Sequence, residues 1–294
     1  MSELLLVALA GFLASLVDGA LGMGFGPTSS TILLSGGLSP AAASTTVNIA
    51  KVATGAAAGY SHWRFGNVDK RLLVRLALPG ALGALVGVTV LASIDGDDLR
   101  PYLAALLLLV GLRILVRFSR PLRNGAAGVN GDGIDAPVDT RGVVAAGAAG
   151  GVTNGLIGAW GPVVTPVLLH KGVLPRFAVG TVNTAEMAVA VVSAGSLLAS
   201  LGGDGVDVAI VIAMLIGGVA AAPLAAVVVR HLPARAMGVA VGGLLILTNV
   251  RELANQGELA TGRWIFYAVV VVLIVVAALA PRFSSSPAPE TEPA

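Results

Sequence analysis

Two stretches decide the fold: Asp18-Gly19-Ala20-Leu21-Gly22-Met23-Gly24-Phe25-Gly26-Pro27 and Asn154-Gly155-Leu156-Ile157-Gly158-Ala159-Trp160-Gly161-Pro162. Each splits a pair of apolar runs too short to cross a bilayer alone, 4–17 with 25–38 and 142–157 with 160–170. A spanning helix needs about 20 apolar residues. Glycine and proline punctuate helices. At membrane depth, broken backbone survives only where protein buries it or water lines it. Both stretches therefore read as helix breaks inside a membrane protein.

The rest of the chain agrees. It has 294 residues, 56% hydrophobic and 12% charged, with a mean hydropathy of +0.90. Soluble chains carry about 25% charged residues. Further apolar runs fall at 41–60, 72–93, 99–118, 177–200, 206–229, 235–250 and 263–281. There is no cysteine, which excludes disulfides, thiolate catalysis and cysteine-ligated metals. Met1, Ser2 and Glu3 lack a basic n-region, so the first apolar run is expected to belong to the fold.

The breaks are two copies of one pattern. Gly11 falls on Gly147, Asp18 on Asn154, Gly19 on Gly155 and Gly22 on Gly158, each 136 positions later. One residue is then lost. At 135 positions, Gly26-Pro27 falls on Gly161-Pro162, Pro40 on Pro175, Thr46 on Thr181, Asn48 on Asn183 and Lys51 on Glu186. Gly66-Asn67-Val68-Asp69 resembles Gly203-Asp204-Gly205-Val206-Asp207. Chance likeness between apolar sequences would align Leu, Ala and Val instead.

Loop charge orients the copies. The loop after 41–60 holds Arg64, Lys70, Arg71 and Arg75; its counterpart holds Asp204 and Asp207. The next loop holds Asp95, Asp97 and Asp98; its counterpart holds Arg230, His231 and Arg235. Basic loops stay cytoplasmic, so the copies insert with opposite orientation, as in inverted repeats. The expected fold is all-α and polytopic. Each repeat is a broken, re-entrant hairpin plus three spanning helices, and one extra C-terminal helix follows. The first repeat covers 1–118, a polar linker 119–141, the second repeat 142–250, an additional transmembrane helix 251–283 and a disordered tail 284–294. The N-terminus is placed outside and the C-terminus in the cytoplasm. Hairpins that span rather than re-enter are the alternative.

Lys51 stands about 15 Å along the run 41–60, at 1.5 Å per residue. Ionisable residues there are costly and mark function by default. Thr45, Asn48 and Lys51 share a helix face, with Ser44 and Thr54 nearby. Glu186 occupies the matching place in the second copy, three residues after Asn183, with Thr181 and Thr184 adding hydroxyls. It is a candidate proton-coupling group. The bland alternative is an ion pair with Lys51 that staples the halves. Half-helices beginning near Pro27 and Pro162 would aim positive dipole ends at the midplane, where an anion is the expected guest. Close packing through glycine is the structural alternative. Asp18 and Asn154 read as caps. Trp160 lines the path or only packs. His62, His170 and His231 lie at segment ends without acids at metal-ligand spacing. No serine-hydrolase elbow occurs. An enzyme, a metal and a cofactor are therefore not expected.

The run Asp18 to Pro27, Pro40, Asn48, Lys51 and His62-Trp63-Arg64-Phe65-Gly66-Asn67-Val68-Asp69 resembles the sulfite exporter TauE/SafE family. So do Gly158-Ala159-Trp160-Gly161-Pro162-Val163-Val164-Thr165 and Gly180-Thr181-Val182-Asn183-Thr184-Ala185-Glu186. In that family the second glycine stretch is usually denser, without Ala159 and Trp160 between its glycines. The resemblance implies a permease of the prokaryotic cytoplasmic membrane. Members of that family are associated with export of sulfite, sulfoacetate or related organosulfonates. Many have no known substrate, and the family name does not fix the substrate. The expectation is a secondary transporter of a small anion with a midplane site. Lys51 would neutralise the anion, and Asn48, Asn183, Thr46 and Thr181 would donate hydrogen bonds. Backbone N–H groups near Gly24, Gly26 and Gly161 would add to these, with Trp160 close by. An uncoupled anion channel and a membrane scaffold are the alternatives. The substrate, the direction of transport, the coupling ion and the oligomeric state, a homo-oligomer included, are left open by the sequence.

Overall fold

A computed structural model describes residues 2–21, 23–119, 141–201, 207–231, 234–255 and 271. Those residues form ten helices and no strand. In order they are α1 Ser2–Leu21, α2 Phe25–Ser35, α3 Pro40–Arg64, α4 Lys70–Ser93, α5 Gly96–Ser119, α6 Arg141–Ile157, α7 Gly161–His170, α8 Pro175–Leu201, α9 Val208–His231 and α10 Ala234–Asn255. The linker residues 120–140, the helix expected at 263–281 and the tail 284–294 lie outside the described residues, Val271 apart.

The helices follow the apolar runs, and α1, α3 and α10 extend four or five residues past them at their C-terminal ends. α1 continues past the apolar stretch 4–17 through Asp18 to Leu21, because the Asp18 carboxylate is used at the break itself. α10 runs to Asn255, past the apolar run 235–250, and carries Arg251 and Glu252 near its end.

Local chemistry sets the ends. Ser39 caps α3 by accepting from the Ala42 N–H at 3.2 Å, and Pro40 opens the helix. Asp69 caps α4 through the Arg71 and Leu72 N–H groups. Asp207 caps α9 through Ala209. The turns after α2 and α7 are the same turn. Gly37 (φ 95°) and Gly172 (φ 83°) stand at matching positions. Leu38 N–H donates to Leu33 O and Val173 N–H to Leu168 O, both at 3.1 Å. Such pairings close a helix around a left-handed glycine.

Packing follows a reciprocal scheme. α1 lies on α9 and α4 on α6, while α3 pairs with α8 and α5 with α10. Small residues allow the close crossings. A methyl group added at Gly217 would stand 1.8 Å from the Ala8 carbonyl oxygen, and one at Gly83 would stand 2.2 Å from that of Ala148.

Among the described residues, large apolar side chains face outward, and a polar group lies buried inside an otherwise apolar core. Leu5, Leu78, Leu82, Leu109, Ile216 and Val219 are all more than 60% exposed. Thr28, Ser29, Ser30, Thr31, Ser44, Asn48, Lys51 and Asn154 are buried. An apolar shell of this extent needs a cover, and lipid supplies it. Lys70–Ser93, Gly96–Ser119 and Arg176–Ser200 are each long and apolar enough to cross a membrane.

Candidate functional site

The two breaks meet. At Gly26 a Cβ would stand 1.7 Å from the carbonyl oxygen of Gly158, so the two backbones touch. Only glycine permits this approach. Gly158 itself has φ 67°, the left-handed conformation that ends α6.

The last carbonyls of a helix lack partners within it. At α6 three of them receive donors from the opposite half, the Asn154 carbonyl also accepting from the Gly158 N–H at 2.8 Å. Ser30 Oγ donates to Ile157 O at 2.7 Å, and Ser44 Oγ to Gly155 O at 2.8 Å. Asn48 Nδ2 donates to Asn154 O at 3.3 Å. Lys51 Nζ donates to Gly158 O at 2.6 Å and to Asn154 Oδ1 at 2.8 Å. The cation thus sits at the negative end of the α6 dipole, where it is favoured. Its third partner is the Glu186 carboxylate, an ion pair across the halves.

Asn154 is the hub. It is fully buried. Its Nδ2 donates to Asn48 Oδ1 at 2.7 Å and to Ser193 Oγ at 3.0 Å, while its Oδ1 accepts from Lys51. Residues of α3, α6 and α8 therefore form one polar network, closed over by the apolar core. Low surrounding dielectric strengthens each link and raises the cost of losing any partner.

The first break is handled differently. Asp18 Oδ1 accepts from the N–H groups of Gly24 at 2.8 Å and Phe25 at 3.2 Å. The N-terminus of α2 is thereby held by a carboxylate. The N-terminus of α7 has no side-chain capping bond from its N-cap residue, Trp160.

Other residues singled out in the sequence lie around this cluster. Thr181 Oγ1 accepts from the Asp69 N–H at 2.9 Å and so pins the α3–α4 turn to α8. Trp160 is fully buried; its Nε1 donates to Val182 O at 3.1 Å and its ring fills a notch left by Gly80 and Gly150. Thr46 is buried on α3, and Asn183 is half-buried on α8. Gly161 is buried at the start of α7.

Sequence reasoning missed Ser30, Ser193 and the hydroxyl run Thr28-Ser29-Ser30-Thr31. Four consecutive hydroxyls in an otherwise apolar helix were the available signal. Ser30 bonds α6, and Thr31 accepts from Asn249 at 3.1 Å. Thr28, Ser29 and Thr165 are buried without a hydrogen-bond partner among the described residues. Ser29 follows Gly26 by three positions, which puts it on the helix face that meets the second break.

A groove of about 810 Å³ opens elsewhere, lined by Val90, Ile94, Asp97, Asp98, Tyr102 and Leu156 among others, and none of the Lys51 network borders it. No group of three or more metal-ligating side chains occurs among the described residues.

A family model described as "Sulfite exporter TauE/SafE" matches residues 7–251. The chain belongs to the sulfite exporter TauE/SafE family. A relative in Bacillus subtilis (strain 168), named "Probable membrane transporter protein YtnM", is 41% identical over 260 residues, covering 87% of this chain and 84% of the relative. No solved structure matches. This TauE/SafE chain is thus a membrane-embedded protein of a transporter family, and the buried Lys51 meets the partly buried Glu186 between its N-terminal and C-terminal helices.

Proposed function

We propose that this chain is a secondary permease that exports a small anion such as sulfite or an organosulfonate, by alternating access between inverted repeats 1–118 and 142–250. The observation that carries the reading is the Lys51 cluster: a buried cation held between the halves, beside two touching helix breaks. Several observations support the repeat. The turns after α2 and α7 have the same hydrogen bonds, and the helix pairs α1–α9 and α6–α4 exchange partners between halves. The positions of Arg64, Lys70, Arg71 and Arg75 at the α3–α4 turn, against Asp95, Asp97 and Asp98 at the α4–α5 turn, favour a cytoplasmic α3–α4 turn. With re-entrant hairpins, the N-terminus is outside and the C-terminus inside a prokaryotic cytoplasmic membrane.

In this reading Lys51 supplies charge to the anion. The donors this reading assigns to the anion are the Gly161 end of α7 and the hydroxyls of Ser29 and Thr165, which have no partner among the described residues. The Asn48 amide would have to exchange a bond it already makes. Glu186 is the group through which protons enter the cycle.

Reconstitution into liposomes tests this. Accumulation of labelled sulfite, thiosulfate or sulfoacetate above its equilibrium level, lost when the proton gradient is dissipated, is expected. Equilibration without accumulation would favour an uncoupled channel. No flux of any of these anions, with Lys51→Ala altering complex formation instead, would favour a scaffold. Because the chain has no cysteine, single cysteines placed at 67 and 207 would report the sidedness of the corresponding turns before α4 and α9. Labelling of both from the same side would refute the inverted arrangement.

A further inference from the structure

An ammonium group has three N–H donors and no acceptor. At Lys51 all three are engaged, by Glu186, by Asn154 Oδ1 and by Gly158 O. An anion arriving at Lys51 finds no free donor. One of the three partners has to leave.

Two of them are built in. Asn154 is held by Asn48 and Ser193. Gly158 O belongs to backbone fixed by the left-handed turn and by contact with Gly26. Glu186 is the third. It comes from a separate helix, and it is the charged acceptor of the set. Its side chain is 17% exposed, against 4% for Lys51.

We infer that the Glu186 carboxylate is an internal stand-in for the transported anion: carboxylate and substrate compete for one coordination place on Lys51. The inference rests on the Lys51 cluster being the anion site, and it adds how that site is kept when empty. A buried cation without a counter-charge is strongly unfavourable. Exchanging one oxyanion for another keeps Lys51 paired through the cycle. The ligand class follows from the exchange. It is a small oxyanion that offers an ammonium what a carboxylate offers, two or more acceptor oxygens and at least one negative charge.

The test uses the purified full-length protein and its thermal unfolding midpoint, titrated with sulfite, thiosulfate and sulfoacetate. Ligand that binds the folded state raises the midpoint. In Glu186→Gln the competitor is neutral. Its apparent affinity for the preferred anion is expected to be tighter by about tenfold or more, the penalty that a self-occupied site imposes. The same anion should restore the stability that the substitution removes. Glu186→Asp keeps the charge on a shorter stem and should fall between the two. If Glu186→Gln is recovered only when purified with anion, the competition stands. A Glu186→Gln protein that binds no tighter than the wild type overturns it. So does one that no anion rescues while Glu186→Asp binds like the wild type. If none of the three anions shifts the wild type or either variant, the anion site itself is overturned. A responsive wild type with an unresponsive Gln variant removes only the competition.

Discussion

At the first break Asp18 captures the N–H groups that open the following helix; at the second, Ser30, Ser44, Asn48 and Lys51 capture the carbonyls that close the preceding one. The backbone problem is the same, since a helix interrupted inside protein leaves polar groups that water cannot reach. The solutions have opposite charge. The first break is closed by a carboxylate from its own half. The second is stitched by donors from the other half. Asp18 and Asn154 occupy matching positions, yet one caps a helix start and the other anchors a cation. The two breaks share their bends and differ in the charges that close them. One consequence is that the positive end of α2 already has its anion, while that of α7 lacks a side-chain cap from Trp160.

The contrast predicts a graded series of effects. Lys51→Ala is expected to do most damage. It leaves the partly buried Glu186 carboxylate without its counter-charge, a loss of up to about 3–5 kcal/mol, measurable as a lower unfolding midpoint and reduced folded yield. Gly26→Ala comes next, because its methyl group would meet Gly158 backbone at 1.7 Å and backbone cannot rotate away. Overpacking of this kind costs about 1–3 kcal/mol; an unchanged midpoint would show that the two breaks do not touch. Asp18→Ala removes a cap, about 0.5–2 kcal/mol, and should disturb the first break alone. Ser30→Ala, which removes one neutral hydrogen bond to Ile157, should cost least, about 0.5–1.5 kcal/mol. If Asp18→Ala proved as damaging as Lys51→Ala, the two breaks would be equally strained and the contrast would fail.

Much of the scaffold was legible because it is written in local chemistry. The run 72–93 became Lys70–Ser93, since apolar length and the Asp69 cap specify a helix without reference to its neighbours. The breaks were legible as glycine and proline clusters. Lys51 and Glu186 do form an ion pair, which agrees with the 135-position correspondence of Asn48 and Lys51 with Asn183 and Glu186. What the sequence did not disclose lies in the crossings. Lys51 bonds Asn154 and Gly158, more than a hundred positions away, and that depends on how α3 passes α6, which spacing within one helix does not specify. Trp160 was open between lining a path and packing. Its place is decided by Gly80 and Gly150, glycines of two different helices that together leave a notch of its shape. Ser30 and Ser193 look like any hydroxyl in an apolar helix until a partner across the interface is known.

The most direct measurement removes the charges while keeping the packing. A Lys51→Met, Glu186→Leu double variant replaces a buried ion pair with apolar side chains, a change that is often neutral or stabilising. Its unfolding midpoint should stay near that of the wild type, while flux of sulfite, thiosulfate and sulfoacetate in liposomes disappears. A folded double variant that still carries the wild-type anion at the wild-type rate would contradict a role for Lys51 in binding it.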